Sequence, residues 1–420
     1  MREKQNRYES TAQRNGGTNM DFNLTDEEQM FQDTVRKFCE KKLRPRSREI
    51  DDRQEIPREI LDEMAKMGLL GITVPEKYGG PGGSIMMATL GATEIGRGDI
   101  SMATAVYYLL EAGWSPILAR HGSEEAKNEV LPRVASGEWF LGIASTEPGG
   151  GSDLAGMQTC WTRDGNDYII NGEKAFISCF QEAQKYGGGH LTLVRDASKP
   201  RDISGMNFFY VPANSKGIHV QKYHNMGRMG ISTCGVTYDN VRVPEKYRLG
   251  SEGKGFYYAM EGFNIARIFV SAACIGAAER ALEIGMEWIK KRSAFGSPIG
   301  KFEAVQFELA DLYSQVEMAR LIIHKAAWLT DRHGPHPDKA AMSEIAKTVA
   351  VGKLMAPQIA FDTVRKVMTW HGAFGYTRET DLEMGLRGIT SYISGAEGAL
   401  NIMRIIIGRE LLGKEFIPYK

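Results

Sequence analysis

The stretch ASTEPGGGSDLAG, residues 144–156, stands where the sequence changes from helical to strand-like. Its three consecutive glycines let backbone N–H groups approach a ligand closely. Thr146 and Ser152 add hydroxyl groups, which suits a phosphate or the polar edge of a ring. Alone the motif is weak, because most glycine-rich turns are ordinary turns. It lacks the Lys-Ser/Thr ending of a Walker loop, and no βαβ dinucleotide fingerprint appears in the chain.

The sequence before this stretch has helical periodicity. In LTDEEQMFQDTVRKFCEKKL, Thr25 is a candidate N-cap with Glu28 three residues on, and apolar residues follow on one face. We therefore predict an N-terminal α-helical domain over residues 20–138. The first nineteen residues are polar and fit neither a secretory signal nor a transit peptide, so they are predicted to be a disordered extension, with Met20 as an alternative start.

Short strand-like runs follow the glycine-rich stretch. YIINGEKAFIS, HLTLVR, MNFFYVP and GVTYDNVRVP are separated by Gly, Asn, Asp and Pro. The DGND sequence before Tyr168 is typical of a hairpin turn. These patterns predict a middle antiparallel β domain over residues 139–250.

Helical periodicity returns near Gly255 and lasts almost to the end. Residues 263–291 and 302–329 carry small or apolar residues on more than one side, so these helices are expected to bury one another and a partner subunit. We predict a C-terminal domain like a four-helix bundle over residues 251–420. The whole chain is then of the α+β class.

Composition excludes several classes of function. The 420 residues contain 52 Lys and Arg against 52 Asp and Glu, so no net field attracts nucleic acid or an anionic membrane. No apolar run approaches the length of a membrane span. The odd number of cysteines, five, and their wide spacing favour reduced thiols over disulfides or a metal site. We expect a bacterial or archaeal cytoplasmic protein rather than one of the mitochondrial matrix.

Five blocks in one order carry a resemblance to a known family. They are the glycine-rich stretch, NGEKAFIS, RSAFGSPIGKFEAVQ, HGAFGYTRE and SGAEGALNIMRIIIGREL. From about Met20 to its end, the chain resembles the acyl-CoA dehydrogenase family of FAD flavoproteins. The resemblance implies three domains, a homotetramer, and oxidation of an acyl-CoA thioester as in β-oxidation. It also implies that electrons pass to an electron-transferring flavoprotein.

The resemblance assigns cofactor roles to residues of the β domain. Thr146 matches the threonine that meets the pyrimidine side of the flavin ring, and Gly151 and Ser152 match neighbouring contacts. Phe176 stands where the family commonly has a tryptophan over the ring. Ser178 stands where a threonine hydroxyl bonds the ring near N5. Both replacements retain the aromatic plane or the hydroxyl.

Further cofactor residues are implied in the C-terminal region. Arg292 and Phe295 match residues that reach the FAD of a neighbouring subunit, where an arginine suits a pyrophosphate. Thr369 replaces a glutamine that helps to hold the adenosine end, and Gly372 belongs to the same block. Ala294 replaces a polar residue, which weakens one contact.

Substrate residues are implied on a helix of the same region. Phe263, Asn264 and Arg267 match a segment that contacts the CoA chain, although Phe263 could equally be a packing residue. Asp99 lies in a segment that lines the acyl pocket in the family. A substrate role for Asp99 competes with that of a helix cap.

The resemblance places the catalytic base at Glu397. Small neighbours, Ala396 and Gly398, leave room for the α-carbon of a substrate to approach the carboxylate. The base must take a very weakly acidic proton, and burial between flavin and thioester should raise its pKa. Some members carry the base on another helix, but Ala266 occupies that position here. An exposed glutamate at a helix start is the alternative interpretation.

Two other functions remain open from the sequence. One is an enoyl-CoA reductase, or a non-oxidising elimination enzyme, on the same fold. The other is a flavin-bearing binding or DNA-repair-like homologue, which would favour a basic surface. Ala396 and an inserted small residue suggest a branched, cyclic or aromatic acyl group. Glutaryl-type specificity would require an arginine within residues 100–110, and none is present.

Overall fold

The computed structural model describes residues 22–418, so the predicted extension over residues 1–19 and the alternative start at Met20 lie outside the described residues. Helix α1 (Asp26–Phe38) begins at Thr25. The Thr25 hydroxyl accepts a hydrogen bond from the Glu28 N–H, and the Glu28 carboxylate accepts one from the Thr25 N–H. This capping box confirms the predicted start of the helix.

Five more α-helices complete the first region: α2 (Ser47–Arg53), α3 (Arg58–Lys66), α4 (Ile85–Gly98), α5 (Ala103–His121) and α6 (Glu124–Ala135). Helix α5 is at the centre of this region, because every residue from Ala103 to Leu118 is buried. A helix that is apolar on all sides is covered on all sides, so α5 contacts neighbours of more than one domain.

Seven strands form the main sheet: β1 (Phe140–Ala144), β2 (Cys160–Asp164), β3 (Asp167–Ser178), β4 (Gly188–Asp196), β5 (Met206–Pro212), β6 (Ile218–Lys222) and β7 (Thr233–Val243). The predicted hairpin is confirmed, because Asp164 pairs with Asp167 and Gly165 in the turn has a φ of 64°. A positive φ at this position favours glycine.

The sheet is mixed, not antiparallel throughout as the sequence predicted. Strands β2, β3, β7 and β6 are antiparallel neighbours, and β5 is antiparallel to β4. Strands β1 and β2, however, pair with β4 in parallel. The chain returns to β4 through helix α7 (Phe180–Tyr186), a crossover that permits parallel pairing. The sequence pattern of a strand indicates that the strand forms, but not whether its neighbour in the sheet is parallel or antiparallel to it.

The last region contains five α-helices: α8 (Gly255–Lys291), α9 (Glu303–His333), α10 (Lys339–Trp370), α11 (Leu382–Ser394) and α12 (Leu400–Leu412). A two-stranded hairpin, β8 (Ser293–Ala294) and β9 (Ser297–Pro298), joins α8 to α9. Helix α8 has 37 residues and is therefore about 55 Å long. Together with the helical first region and the sheet, this region confirms the predicted α+β class.

Helices α4 and α8 cross at very short range. A methyl group added at Gly276 of α8 would lie 1.9 Å from the Thr93 carbonyl oxygen, and one at Gly96 would lie 2.2 Å from the Ala273 carbonyl oxygen. Only glycine permits this approach, so the crossing fixes α8 against the first region. None of the helices over residues 22–418 combines the length and apolar character needed to cross a bilayer.

Candidate active site

Glu397 lies in the loop between α11 and α12. The N–H groups of Gly395 and Ala396 both donate to the Ser391 carbonyl oxygen, at 3.2 and 3.1 Å, which ends α11. Glu397 then has a φ of 55° and Gly398 a φ of 101°. Two consecutive residues with positive φ turn the chain sharply, and a φ near 100° is strongly unfavourable for any residue other than glycine.

Two buried cations hold this loop from two different helices. Arg267 of α8 donates from Nε to the Glu397 carbonyl oxygen at 2.9 Å. Lys353 of α10 donates from Nζ to the carbonyl oxygens of Tyr392 at 2.7 Å and Gly398 at 3.3 Å. The loop backbone is therefore fixed on both sides of Glu397.

The Glu397 carboxyl is buried, although the residue as a whole is partly exposed. Its Oε2 atom has no hydrogen-bond partner among the described residues. Burial raises the pKa of this carboxyl, and the charges of Arg267, Lys353 and Arg228 oppose the rise. Burial also lowers the pKa of Arg267 to about 10 and that of Lys353 to about 8.

The predicted substrate residues of α8 lie beside Glu397. Arg267 also donates from a terminal nitrogen to Asn264 Oδ1 at 3.1 Å, and its guanidinium lies 5.7 Å from the centre of the Phe263 ring. The Phe263 ring meets Trp114 edge-on at 5.3 Å. The structure therefore brings Phe263, Asn264 and Arg267 together with Glu397. Ala266 is fully buried, and its Cβ faces Gly113.

The glycine-rich stretch is anchored by a buried ion pair. Glu147 pairs with Lys174 of β3 at 3.0 Å, and its carboxylate also accepts from the N–H groups of Gln158 and Thr159 at 2.6 and 2.9 Å. Lys174 donates in addition to the Ser145 carbonyl oxygen at 3.0 Å. These bonds hold the glycines next to the end of β3.

The end of β3 presents an aromatic ring beside this loop. The Ala175 N–H donates to the Thr146 carbonyl oxygen at 2.9 Å, so Thr146 is adjacent to Phe176. The β3–β7 register shifts between Lys174 and Ile177, and Phe176 has a φ of 60° and is 65% exposed. Such an irregularity re-aims a side chain.

Room and polar groups for a planar cofactor are present here. Gly149 and Gly150 have no other atoms within 4 Å of an added Cβ, while Gly151 and Ser152 are exposed. The Ser178 carbonyl oxygen bonds Nε2 of the buried His190 at 3.0 Å, which fixes the backbone at Ser178. An exposed ring, open glycines and two hydroxyl residues fit a flavin.

The remaining predicted cofactor residues form a separate cluster. Arg292 ends α8, 25 positions beyond Arg267, which is roughly 37 Å along a straight helix. Phe295 is fully exposed with a φ of 52°. Thr369 and Gly372, at the end of α10, are also exposed. One protomer does not bring this cluster to Glu397.

Asp99 has the geometry of a helix cap. Its Oδ1 accepts from the hydroxyls of Ser47 and Ser101 at 2.7 and 2.6 Å, and its Oδ2 accepts from Thr104 N and Oγ1 at 3.0 and 2.8 Å. The carboxylate is fully buried and has no free lone pair to offer a substrate. The geometry therefore favours the cap over a substrate role.

Sequence reasoning missed three cations: the buried Lys353 and Lys174, and the partly buried Arg228. A signal existed for Lys353, which is the one charged residue in the helical run TVAVGKLMAPQIA. Lys174 follows a glutamate in a strand and gave no such signal. Among the described residues, no group of three His, Cys, Asp or Glu side chains could hold a metal ion.

Comparison with protein families matches nearly the whole chain. The description "Acyl-CoA dehydrogenase, N-terminal domain" matches residues 25–138, the middle domain matches 142–241 and the C-terminal domain matches 253–412. The chain belongs to the acyl-CoA dehydrogenase family. The predicted family is thereby confirmed, and with it the oxidoreductase class.

Several relatives of this acyl-CoA dehydrogenase family member are known by name. "Probable acyl-CoA dehydrogenase YngJ" of Bacillus subtilis strain 168 is 34% identical, over 94% of this chain and 100% of its own. "Acryloyl-CoA reductase (NADH)" of Anaerotignum propionicum is 32% identical, over 94% and 96%. "Benzylmalonyl-CoA dehydrogenase" of Aromatoleum aromaticum is 31% identical, over 93% and 100%.

Solved structures agree with the fold. Butyryl-CoA dehydrogenase of Megasphaera elsdenii has a TM-score of 0.85 at 29% identity, over 94% of this chain and 100% of its own. A glutaryl-CoA dehydrogenase of Mycobacterium smegmatis in complex with FADH2 has a TM-score of 0.84 at 26% identity, over 94% and 97%. The three-domain arrangement is thus that of the family.

Proposed function

We propose that this acyl-CoA dehydrogenase family member binds FAD and converts an acyl-CoA thioester to the 2-enoyl-CoA, with Glu397 as the base. The observation that supports this most directly is the buried, unpartnered Oε2 of Glu397 in a loop held by Arg267 and Lys353. When bound, the flavin supplies the acceptor for the β-hydrogen and its electron pair.

Glu397 serves the reaction through two groups. Its carboxylate takes the α-proton, and burial raises its pKa, which makes it a stronger base. Its N–H donates no hydrogen bond to any of the described residues, so it can bond the thioester oxygen as negative charge develops there. Arg267 and Lys353 orient both groups, and their charges favour the ionised carboxylate.

The flavin is assigned to the face formed by Thr146, Gly151, Ser152, Phe176 and Ser178. The exposed Phe176 ring would cover the isoalloxazine, and Ser178 would bond it near N5. The second cluster would reach the FAD of a neighbouring subunit, because roughly 37 Å along α8 separates it from the base. Its members are Arg292, Phe295, Thr369 and Gly372.

A homotetramer is part of this proposal. Helix α9 exposes large apolar side chains, and their exposed fractions are between 44% and 64%. A surface of this kind marks a protein interface. These side chains are Phe307, Tyr313, Met318, Leu321 and Trp328.

An electron-transferring flavoprotein is the proposed acceptor, and the cytoplasm is the proposed compartment. All five cysteines are free thiols, which suits a reducing compartment. The proposed acyl group is branched, cyclic or aromatic. One relative is named for benzylmalonyl-CoA, and Ala396 leaves space where the family often has tyrosine.

Reduction of an enoyl-CoA is a second candidate function. A relative named as an acryloyl-CoA reductase is 32% identical over 94% of the chain. The raised pKa of Glu397 would also let it deliver a proton to the α-carbon in that direction. The two functions differ in whether the acyl-CoA reduces the flavin or the enoyl-CoA reoxidises it.

The test is anaerobic flavin bleaching with a panel of acyl-CoAs. The wild type should bleach with at least one of them, whereas Glu397→Gln should keep its FAD and lose bleaching. Glu415→Gln, at an exposed site after α12, serves as the control. Equal bleaching by Glu397→Gln would contradict the assignment of the base. Reoxidation of reduced enzyme by the enoyl-CoA alone would favour the second candidate.

A further inference from the structure

Arg228 is a partly buried cation that forms no ion pair with the described residues. It lies between β6 and β7 and has a φ of 55°, an unfavourable conformation for a residue other than glycine. Its Nε is buried without a hydrogen-bond partner, and no ion pair among residues 22–418 involves its guanidinium. The nearest ring, that of Tyr392, has its centre 5.9 Å from the guanidinium carbon.

Close packing fixes the segment that carries Arg228. A methyl group at Gly227 would lie 2.5 Å from the main chain of Arg387 in α11, and one at Gly230 would lie 2.3 Å from Ile50 and 3.0 Å from Ala103. The segment is therefore wedged between α11, α2 and the start of α5. Arg228 is held in place by its neighbours and is not part of a loose surface loop.

Arg228 faces the candidate active site. Its guanidinium carbon lies 5.9 Å from the centre of the Tyr392 ring, and the carbonyl oxygen of Tyr392 accepts a hydrogen bond from Lys353 at 2.7 Å. The charge of Arg228 also acts on the carboxyl of Glu397. Three buried polar atoms here lack a partner among the described residues: Arg228 Nε, Tyr392 Oη and Glu397 Oε2. Native proteins leave few such atoms unpaired, so a cluster of three indicates space for a polar ligand.

The charges around this space do not balance. Three cations, Arg267, Lys353 and Arg228, act on one carboxylate, Glu397, and none of the three forms an ion pair within the described part of the chain. Arg267 and Lys353 are occupied by loop carbonyl oxygens. No carboxylate of the described residues pairs with the Arg228 guanidinium, and a guanidinium matches a carboxylate in shape and charge.

We propose that Arg228 binds a carboxylate on the acyl group, so that the substrate is the CoA monothioester of a dicarboxylic acid. The inference rests on the proposed function, because it takes Glu397 as the base and the acyl group as lying beside it. Tyr392 would donate its hydroxyl to the same carboxylate. Residues 100–110 contain no arginine for binding such a carboxylate. Arg228, in the segment between β6 and β7, would take this role instead.

The test compares dicarboxylic thioesters with methyl-ended ones of equal length. Succinyl-, glutaryl- and adipoyl-CoA are paired with butanoyl-, pentanoyl- and hexanoyl-CoA, and kcat/KM is measured for wild type, Arg228→Met and Arg228→Lys. In wild type at least one dicarboxylic thioester should have a higher kcat/KM than the methyl-ended thioester of equal length. Arg228→Met should lower that ratio about 10- to 100-fold, the range expected for a lost charged hydrogen bond. Arg228→Lys should lower it less, because it retains the charge but not the planar fork.

A control separates this effect from misfolding. Arg201→Met removes an exposed arginine of the same domain and should leave the ratio unchanged. FAD content and the thermal midpoint of each variant are measured in parallel. The inference is overturned if no dicarboxylic thioester has a higher kcat/KM than its methyl-ended counterpart in wild type. It is also overturned if Arg228→Met lowers kcat/KM equally for both thioesters of a pair.

A binding measurement distinguishes failure of this inference from failure of the proposed function. Calorimetric titration of the same six thioesters into Glu397→Gln holoenzyme reports affinity without turnover. If no acyl-CoA reduces the flavin of wild type, the proposed function fails. Even then, the carboxylate site is supported if Glu397→Gln binds the dicarboxylic thioesters more tightly and Arg228→Met abolishes that preference in the same background. If Glu397→Gln shows no such preference in affinity, the carboxylate site is overturned.

Discussion

The Nε atom of Arg267 donates a 2.9 Å hydrogen bond to the carbonyl oxygen of Glu397. One buried side chain thus fixes the main chain of the residue that carries the proposed base. Three charges lower the pKa of the Glu397 carboxyl against the effect of burial, and that of the Arg267 guanidinium has the largest effect. Arg267 therefore affects both the position and the charge of the base.

Replacing Arg267 by methionine should slow flavin reduction. The variant loses a charged hydrogen bond worth about 1.5–3 kcal/mol, which corresponds to a fall in kcat/KM of roughly 10- to 150-fold. Stopped-flow reduction of the enzyme-bound flavin by its best acyl-CoA is the measurement. Arg404→Met, at an exposed position on α12, is the control. An unchanged rate with Arg267→Met would show that the loop does not need this bond.

The pH dependence should change in Lys353→Met. The Lys353 charge favours the ionised carboxylate of Glu397, so its removal should raise the pKa of that group. The acid limb of the pH–rate profile should then move to higher pH. Because the pKa of Lys353 is about 8, its charge is present below that pH.

The control for this variant is Lys339→Met, which removes an exposed lysine at the start of α10 and should leave the profile unchanged. An acid limb that stays in place, or moves to lower pH, in Lys353→Met would contradict the electrostatic role. A lower rate with an unshifted limb would leave Lys353 only the task of holding the carbonyl oxygens of Tyr392 and Gly398.

Gly398 and Gly395 form a matched pair in the loop of the base. Gly398 has a φ of 101°, and an added Cβ would lie 3.2 Å from Met403 Cε and 3.4 Å from a terminal nitrogen of Arg267. Gly395 has a φ of −178°, outside the left-handed region, and no other atoms within 4 Å of an added Cβ. Gly398→Ala should therefore strain the loop by about 1–3 kcal/mol and lower the rate of flavin reduction. Gly395→Ala should retain the wild-type rate of flavin reduction. A similar fall in this rate in both variants would contradict this account.

Much of the fold was predictable because its signals are local. The capping box at Thr25 and the turn at Gly165 depend on residues a few positions apart, and both are confirmed. The parallel pairing of β1 with β4 was not predictable, because it joins segments 48 residues apart through a crossover. Periodicity identifies strands but contains no information about such partners.

The candidate site was predictable only in part. The small residues around Glu397 drew attention to that carboxylate, and the family resemblance suggested its role. The positive φ of Glu397 and the orphaned guanidinium of Arg228 depend on contacts between distant segments. Lys353 reaches the same loop from α10. No local pattern reports which buried cation faces which carboxylate.

The ion pair of Glu147 and Lys174 links the glycine-rich stretch to β3. Both side chains are buried, the carboxylate accepts two backbone N–H groups, and burial lowers the pKa of Lys174 to about 8. Lys174 bonds the Ser145 carbonyl oxygen and the Glu147 carboxylate, which lie on either side of Thr146 in the chain. Thr146 belongs to the proposed flavin face. The pair is therefore expected to affect both the stability of the protein and the retention of FAD.

Lys174→Met should destabilise the protein by about 3–5 kcal/mol, because it leaves the Glu147 carboxylate buried without its partner. The urea midpoint should fall, and more FAD should be lost on gel filtration. The double variant Lys174→Met/Glu147→Gln should recover most of the lost stability, since no uncompensated charge remains, but not the FAD retention, since the loop is no longer tied to β3. If the single and double variants have the same urea midpoint, the loss comes from packing of the lysine stem and not from the unpaired carboxylate.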